Sequence, residues 1–364
     1  MKQDTTPQLI VYGTNHHQAD METREKVTLN ASQVDLLYSK VKLKDHFAES
    51  LILNTCNRTE LYLLEHQEPN FSEVRDLLSE VTDTPQEIWT QIEVSKCGAD
   101  AVQHCLQVAA GLNSQMIGET EILGQVKQAY QRATNEGTAG KILHQLFQQT
   151  FRVGKWIRTN TSLGKGQVSA PTVAARLAER IYGKLDRAQA MVLGTGEMAE
   201  AMIKVLISEG LPTPAFAGRN RDRADEIARM YQADTIAFEH WKTKLPKHEI
   251  LITSTLSSEW MLTESEIRKI MSQRKGRPLF IIDLAMPRDV EPKAANLDGV
   301  YLYNLDDLAK VANENLQSRQ AEIQRCHEYV HQESAEIWDK IRDRYEASAD
   351  SAVTSVESSG RSGG

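Results

Sequence analysis

Long hydrophobic runs, paired cysteines and an excess of positive charge are all missing from this sequence. No apolar segment approaches the roughly 18 residues that a membrane-spanning helix needs, and the N-terminus has no apolar signal core. The four cysteines show no CxxC spacing, which argues against a zinc site or a disulfide framework. The net charge of -8 excludes the broad basic surface of a general nucleic-acid binder. We therefore expect a cytoplasmic protein without membrane association, and its 364 residues allow two or more domains.

The N-terminal part is organised around a cysteine at the end of an apolar run. Residues 51–53 and 61–64 predict two successive strands, so Cys56 lies at the turn between them. Polar neighbours expose the thiol, and the cation of Arg58 favours its thiolate form, as a nucleophile requires. A partly buried structural cysteine beside a surface arginine is the alternative.

The segments around this turn predict a ferredoxin-like α/β sandwich, because a strand, a helix, two strands, a helix and a strand follow one another. The other segments are a strand over 9–13, helices over 28–45 and 71–81, and an extended segment over 88–94. His16 and His17 follow the first strand. Successive residues of an extended segment point to opposite faces, so we expect no metal ion between them.

The helical section that follows carries many polar residues. A helix over 99–110 places His104 at its middle, either as a core histidine or as a catalytic one. Four residues able to hydrogen-bond come next: Ser114, Glu119, Glu121 and Gln125. They belong either to a binding site or to the caps of a helix-turn-helix connection. A helix over 142–161 has three cations on one side, suited to phosphate contacts or to a solvated face: Arg152, Lys155 and Arg158.

The middle of the chain has the fingerprint of a dinucleotide-binding turn. An apolar strand over 188–193 runs into a helix through residues in GxGxxA spacing: Gly194, Thr195, Gly196, Glu197, Met198 and Ala199. Gly194 permits the tight turn, Gly196 lets the backbone approach a pyrophosphate, and Ala199 permits close packing of helix on strand. Further strands are predicted over 214–217, 234–238, 249–253, 279–284 and 300–303. Together they predict a doubly wound Rossmann sheet.

The end of the second strand of this sheet indicates which dinucleotide binds. An acidic residue there would hold the ribose 2′-hydroxyl of NAD, but the sequence has Arg219 with further arginines behind it. Arginine suits a 2′-phosphate, so NADPH is the expected cofactor. A Rossmann-like fold with an empty site is the alternative.

The last third of the chain predicts a loop, a long helix and a tail. A proline-bounded loop over 284–292 lies where ligands of such sheets bind. An apolar stripe at helical spacing from residue 305 predicts a helix that needs a partner surface, and the Ser/Gly/Ala-rich end predicts disorder. The expected divisions are an N-terminal domain over 1–160, a dinucleotide domain over 161–304, a helix over 305–346 and a tail over 347–364.

Several sequence blocks, taken together, resemble the glutamyl-tRNA reductase family and follow its order. They are residues 15–16 with 24–26, 54–60, 108–114 with 117–127, 194–199, and 283–289 with 301–307. The resemblance covers roughly residues 9–330. It implies an enzyme that reduces glutamyl-tRNA(Glu) with NADPH to glutamate-1-semialdehyde, the first step of tetrapyrrole synthesis from glutamate, without a metal. It also implies the aminomutase that consumes the semialdehyde as a candidate partner.

For the site, the resemblance implies a thioester route. Cys56 attacks the ester carbonyl of glutamyl-tRNA, the tRNA leaves, and the thioester accepts hydride, with His104 assisting. The residues implied to hold the glutamyl group are Thr55, Asn57, Arg58, Ser114, Glu119, Thr120, Glu121 and Gln125. Of these, Arg58 is the implied partner of the substrate carboxylate. A hinge is expected between the N-terminal domain and the dinucleotide domain.

Two departures from the family pattern bear on function. Thr120-Glu121 stands where the family has Pro-Gln, which adds a negative charge near a site for glutamate. The family continues past the long helix into a dimerisation region, which the expected tail replaces here, so a homodimer remains open. Two other functions remain as alternatives. One is a non-catalytic tRNA- or partner-binding relative, although such a protein would not need a thiol and a reductant site together. The other is an NADP-dependent dehydrogenase of a small metabolite, although such an enzyme would not need the N-terminal domain.

Overall fold

A computed structural model describes residues 8–65, 69–119, 121–161, 163, 169–313 and 320–359, with side chains of the last helix described as far as residue 344. The chain divides into two compact units, Met1–Gln167 with Leu316–Gly364, and Val168–Asn315. Every helix in the described part of the chain is too short or too polar to traverse a bilayer.

The first unit begins with a four-stranded sheet. Its elements in chain order are β1 (Gln8–Asn15), α1 (Met21–Val27), α2 (Ala31–Lys42), β2 (Phe47–Thr55), β3 (Arg58–Glu65), α3 (Phe71–Thr82), α4 (Gln86–Gln91) and β4 (Val94–Cys97). The strand order β2-β3-β1-β4, with all pairs antiparallel, is the predicted ferredoxin-like arrangement.

The helix predicted over 28–45 is confirmed as α2, which Asn30 starts with a capping box to Gln33. Two other elements of this domain differ from the prediction. A separate helix, α1, precedes α2 and was not predicted. Residues 86–91 form helix α4, where the sequence predicted an extended segment. Trp89 of this helix is fully buried, so packing into the core overrides its β propensity.

Three helices follow β4: α5 (Gly98–Ala109), α6 (Glu121–Asn135) and α7 (Lys141–Asn160). α5 packs on β1 and β4, and α6 packs on β2. The functional residues predicted in this part of the sequence therefore lie on helices held against the sheet that carries Cys56.

The second unit is a six-stranded parallel sheet with helices. Its elements are α8 (Ala170–Tyr182), β5 (Ala190–Leu193), α9 (Glu197–Ser208), β6 (Ala215–Ala217), α10 (Arg221–Met230), β7 (Asp234–Thr235), α11 (Trp241–Lys244), β8 (Ile250–Thr253), α12 (Glu264–Gln273), β9 (Leu279–Asp283), β10 (Val300–Asn304) and α13 (Leu305–Asn313). The order β10-β9-β8-β5-β6-β7 is that of a Rossmann sheet, and all six predicted strands are present. The strand order reverses between β5 and β8, so ligands are expected at the carboxyl ends of these strands.

The last helix, α14 (Gln320–Ser359), returns to the first unit. Four residues of the predicted apolar stripe are at most 3% exposed in the core of that unit: Cys326, Val330, Ile337 and Ile341. Trp156 of α7 stacks on Tyr329 with ring centroids 3.9 Å apart. The partner surface of the stripe is therefore formed by α5 and α7. The helix continues to Ser359, past residue 346 where the sequence predicted its end, and residues 360–364 lie outside the described part.

Candidate active site

Cys56 lies at the tip of the hairpin formed by β2 and β3, as the sequence predicts. Cys56 and Asn57 form a two-residue loop, since Thr55 pairs with Arg58 across the ladder. The backbone N–H of Asn57 donates to Thr55 Oγ1 at 3.2 Å, and the backbone N–H of His16 donates to the Asn57 carbonyl at 2.9 Å. The cysteine is half-buried and free. A thiol is thus presented at the end of two rigid, buried strands.

The charges around the thiol differ from the sequence prediction. Burial and then the Glu119 carboxylate raise the pKa of the Cys56 thiol to about 12, Arg24 acts in the opposite direction, and Glu121 adds to the rise. Among the main causes of the Cys56 pKa, the positive charge is that of Arg24 rather than that of Arg58. Arg24 belongs to α1, and the sequence marks it only as part of a block that carries the family resemblance.

The Arg58 guanidinium is hydrogen-bonded to groups other than the thiol. Its Nη1 donates to Glu60 Oε1 at 2.8 Å, and its Nη2 donates to the Asn113 carbonyl. Only 2% of Arg58 is exposed, so it is a buried residue rather than a surface cation. Its Nε is also buried and has no hydrogen-bond partner among the described residues. Arg58 therefore keeps one unused donor inside the unit.

His104 and Arg58 meet at a buried carboxylate. His104 Nε2 lies 3.0 Å from Glu60 Oε1, and the Tyr62 hydroxyl donates to Glu60 Oε2 at 3.0 Å. Burial alone would raise the pKa of Glu60, but Arg58 and His104 outweigh it and hold that pKa at about 2. Glu60 was not predicted as a site residue. The signal for it is a charged residue within the apolar run of β3, because such a residue needs buried partners.

The segment before α6 brings more of the predicted residues to the thiol. The backbone N–H of Gly118 donates to the Gly111 carbonyl at 2.9 Å, which closes a loop that carries buried Ser114. Burial raises the pKa of Glu119 to about 7, with Ser114 opposing and Glu121 adding to the rise. Cys56, Ser114, Glu119 and Glu121 are thus neighbours.

The remaining predicted substrate residues have less definite positions. Gln125 is half-buried on α6, one turn beyond Glu121, and Thr55 is half-buried at the end of β2. Thr120 lies outside the described residues. Their roles in holding a substrate stay predictions.

Cations and histidines near this site separate into different environments. The charge of Arg158 acts on Glu119, whereas Arg152 pairs with Glu333 of α14 and Lys155 is exposed.

The two adjacent histidines lie close together, since the ring centroids of His16 and His17 are 4.0 Å apart. The prediction that they point to opposite faces was wrong, because β1 ends at Asn15 and a turn follows.

A cavity of about 560 Å³ lies at the carboxyl ends of the Rossmann strands, in the second unit. It is lined by Gly194, Thr195, Gly196, Gly218, Arg219, Asn220, Phe238, Ser254, Thr255, Leu256, Leu284, Ala285 and Met286. A Cβ atom on Gly194, whose φ is +104°, would lie 2.2 Å from the Ser254 carbonyl oxygen, and one on Gly196 would lie 2.5 Å from Ser254 Oγ. The turn therefore packs this closely against Ser254 only because both residues lack side chains, as the glycines of a dinucleotide-binding turn do. Glu197, Met198 and Ala199 form the first turn of α9.

Two further features complete the cavity. Arg219 is exposed and also lines an adjoining cavity of about 110 Å³ together with Arg221. The loop after β9 is held by Asp283, which accepts hydrogen bonds from the Val290 backbone at 2.9 Å and from Thr253 Oγ1 at 3.0 Å. Residues 284–286 of this loop line the cavity, which confirms its predicted position.

Known proteins resemble this chain over most of its length. The family described as glutamyl-tRNAGlu reductase, N-terminal domain, matches residues 12–161, and the shikimate/quinate 5-dehydrogenase family matches residues 176–311. A glutamyl-tRNA reductase of Pseudomonas aeruginosa is 37% identical over 341 residues, covering 92% of this chain and 79% of that protein. One of Rubrobacter xylanophilus is 35% identical over 312 residues, covering 86% and 72%. The solved structure of the glutamyl-tRNA reductase from Methanopyrus kandleri has a TM-score of 0.50 and 30% identity, covering 92% of this chain and 80% of that one. The chain belongs to the glutamyl-tRNA reductase family.

Proposed function

We propose that this protein reduces glutamyl-tRNA(Glu) to glutamate-1-semialdehyde with NADPH, releases the tRNA, and thereby begins tetrapyrrole synthesis from glutamate. The observation that carries the proposal is the free thiol of Cys56 at a rigid turn, facing Glu119, Glu121 and Arg24. A binding protein has no need of a thiol in such surroundings together with a dinucleotide turn in the same chain.

Cys56 is the proposed nucleophile. Its sulfur bonds to the ester carbonyl carbon, the bond from that carbon to the tRNA ribose oxygen breaks, and the thiol proton ends on the departing hydroxyl. Glu119, with a pKa near 7, can carry this proton at neutral pH. A thioester is more electrophilic than a carboxylate, and its sulfur can leave after reduction, so an aldehyde is released.

The proposed binding residues divide by charge. Arg58 offers its unused Nε–H to the substrate carboxylate, and the buried Oδ1 of Asn57, which has no hydrogen-bond partner among the described residues, offers an acceptor. Glu119 and Glu121 are suited to the cationic α-amino group rather than to the carboxylate. Thr55, Ser114, Thr120 and Gln125 complete the proposed glutamyl site, and His104, held by Glu60, assists at the reacting carbon.

The Rossmann turn is proposed to bind NADPH, which supplies the hydride when it is bound. Gly194 and Gly196 line the cavity at this turn, and the backbone amides of residues 197–199 lie at the start of α9, where anions bind. Arg219, at the mouth of the small adjoining cavity, is the proposed partner of the 2′-phosphate. Free cysteines at all four positions suit the cytoplasm. The aminomutase that consumes the reactive aldehyde remains a proposed partner.

Turnover with defined substrates tests this function. Wild-type protein given glutamyl-tRNA(Glu) and NADPH is expected to form semialdehyde, Cys56→Ser to form none, and the matched control Cys97→Ser to retain activity. Without NADPH, mass spectrometry of a rapidly quenched reaction is expected to find the glutamyl group on the Cys56 peptide. An adduct on another residue, or turnover by Cys56→Ser, contradicts the mechanism. NADPH oxidation without tRNA would favour a metabolite dehydrogenase, and tRNA binding without turnover a regulatory relative.

A further inference from the structure

Helix α1 lies along the loop that carries Cys56, because hydrogen bonds tie the chain to that loop on both sides of the helix. Before the helix, the backbone N–H of His16 donates to the Asn57 carbonyl at 2.9 Å. After it, the backbone N–H of Leu29 donates to Asn54 Oδ1 at 3.2 Å, and Asn54 Nδ2 donates to the Leu29 carbonyl at 2.8 Å. Asn54 and Asn57 lie on either side of Cys56, so α1 is held in register with the sulfur.

Arg24 lies on the buried face of this helix. Together with Met21 and Val27 it forms the side of α1 that packs inward, and only 2% of it is exposed. Placing a guanidinium among apolar residues costs free energy unless its charge acts on other buried groups. Burial dominates the titration of both Cys56 and His16, and the charge of Arg24 lowers the pKa of each.

We infer that Arg24 favours ionisation of Cys56: its guanidinium supplies the positive charge that stabilises the thiolate when it forms. The sequence predicts this role for Arg58, but the Arg58 guanidinium donates hydrogen bonds to Glu60 and to the Asn113 carbonyl. The importance of this ionisation for turnover rests on the proposed function. The ionisation itself can be measured without tRNA or NADPH.

Three charged groups act on the sulfur, each from a different element. Arg24 comes from α1, Glu119 from the loop before α6, and Glu121 from the first turn of α6. Burial first, and then the two carboxylates, oppose the thiolate and keep the thiol protonated while the site is empty. A cationic amino group bound by these carboxylates would neutralise them, so that only burial would still act against the charge of Arg24. The thiolate would then form more readily when the substrate is in place.

The rate at which iodoacetamide alkylates Cys56 at pH 8, followed by mass spectrometry of its peptide, tests the inference. Arg24→Met and Arg24→Gln remove the charge. Loss of a nearby opposite charge raises a thiol pKa by about 1–3 units, and the greater nucleophilicity of the more basic thiolate offsets part of this, so the rate should fall roughly threefold to thirtyfold. Arg24→Lys keeps the charge and is expected to remain within about threefold of wild type. Glu121→Gln removes an opposing charge and should react faster.

Lys26→Met is the matched control. Lys26 lies on the same helix, is exposed and pairs with Glu22, so its removal takes away one positive charge without touching the site. Its alkylation rate should equal that of wild type. The inference fails if folded Arg24→Met and Arg24→Gln react at the wild-type rate, if Lys26→Met slows equally, or if Arg24→Lys slows as much as Arg24→Met. Absence of semialdehyde from the wild-type enzyme would instead contradict the proposed function.

A second measurement requires no substitution at Arg24 and serves if its variants do not fold. Cys56→Asp, measured at pH 9 so that its carboxyl is ionised in spite of burial, puts a negative charge where the thiolate forms, and Cys56→Ser provides the neutral reference. The side-chain Nε–Hε NMR signal of Arg24 is expected to differ between these two proteins. An identical signal in both overturns the inference.

Discussion

His104 Nε2 lies 3.0 Å from Oε1 of Glu60, within the core of the first unit. Because the Glu60 carboxylate can only accept hydrogen bonds when ionised, it fixes the proton of the imidazole on Nε2. The other ring nitrogen, Nδ1, then has the free lone pair and lies 3.5 Å from Asn113 Nδ2. Glu60 thus decides which histidine nitrogen can take part in chemistry.

The Glu60 carboxylate should make folding stability depend on pH. Its pKa is about 2 in the folded protein against an ordinary 4.5, so its stabilising contribution is complete above pH 4.5 and is lost as pH falls toward 2. The full effect is about 3 kcal/mol. In urea unfolding from pH 6 down to pH 3, wild type should lose stability more steeply than Glu60→Gln. Parallel curves would contradict the strongly ionised buried carboxylate.

Arg219 should determine the choice between NADPH and NADH. A hydrogen bond to a charged group contributes about 1.5–3 kcal/mol, so Arg219→Met should weaken NADPH binding roughly tenfold to a hundredfold. NADH binding should change little, since it has no 2′-phosphate. Fluorescence titration of both nucleotides provides the measurement, with the exposed Arg229 of α10, replaced by Met, as the control. An equal loss for both nucleotides would assign Arg219 another role.

The N-terminus of α7 depends on a side chain from β2. The Glu49 carboxylate accepts hydrogen bonds from the backbone N–H groups of Ile142 at 3.0 Å and Leu143 at 2.6 Å, while the N-cap residue, Gly140, has no side chain to do so. Glu49→Ala should therefore lower the free energy of unfolding by about 2 kcal/mol. Urea unfolding measures it. The exposed Glu22→Ala should cost under about 0.5 kcal/mol, and an equal effect of both substitutions would refute the cap.

The packing of α14 can be tested at its most buried positions. Ile337 is 1% exposed, so Ile337→Ala should cost about 2–5 kcal/mol through lost burial and the cavity left behind. Gln332→Ala, on the exposed side of the same helix, should stay within about 0.5 kcal/mol. A Cβ atom added to Gly98 of α5 would lie 3.2 Å from the Trp338 ring, so α14 approaches α5 closely at this glycine. Urea unfolding of both variants provides the measurement. If Ile337→Ala leaves the free energy of unfolding unchanged, α14 does not pack on the first unit in solution.

Elements with a local cause were predictable from the sequence. The six Rossmann strands follow from apolar runs between turn residues, and the cofactor turn follows from Gly194 and Gly196, whose missing side chains have a direct geometric role. The position of Cys56 at a hairpin tip follows from the two strands around it. Helices α1 and α4 were missed, since capping at Asp20 and burial of Trp89 outweigh the average pattern.

By itself, then, the sequence determined the fold of each unit, the place of the thiol and the turn for a dinucleotide, because strand alternation, helical period and glycine spacing act between near neighbours. Only the tertiary structure decided the charges at the site: it placed Arg24 rather than Arg58 on the thiol, and bound Arg58 and His104 to Glu60. The reason is physical. Electrostatic effects depend on distance and on the loss of water, and both are set by residues that lie far apart in the chain and meet only after folding.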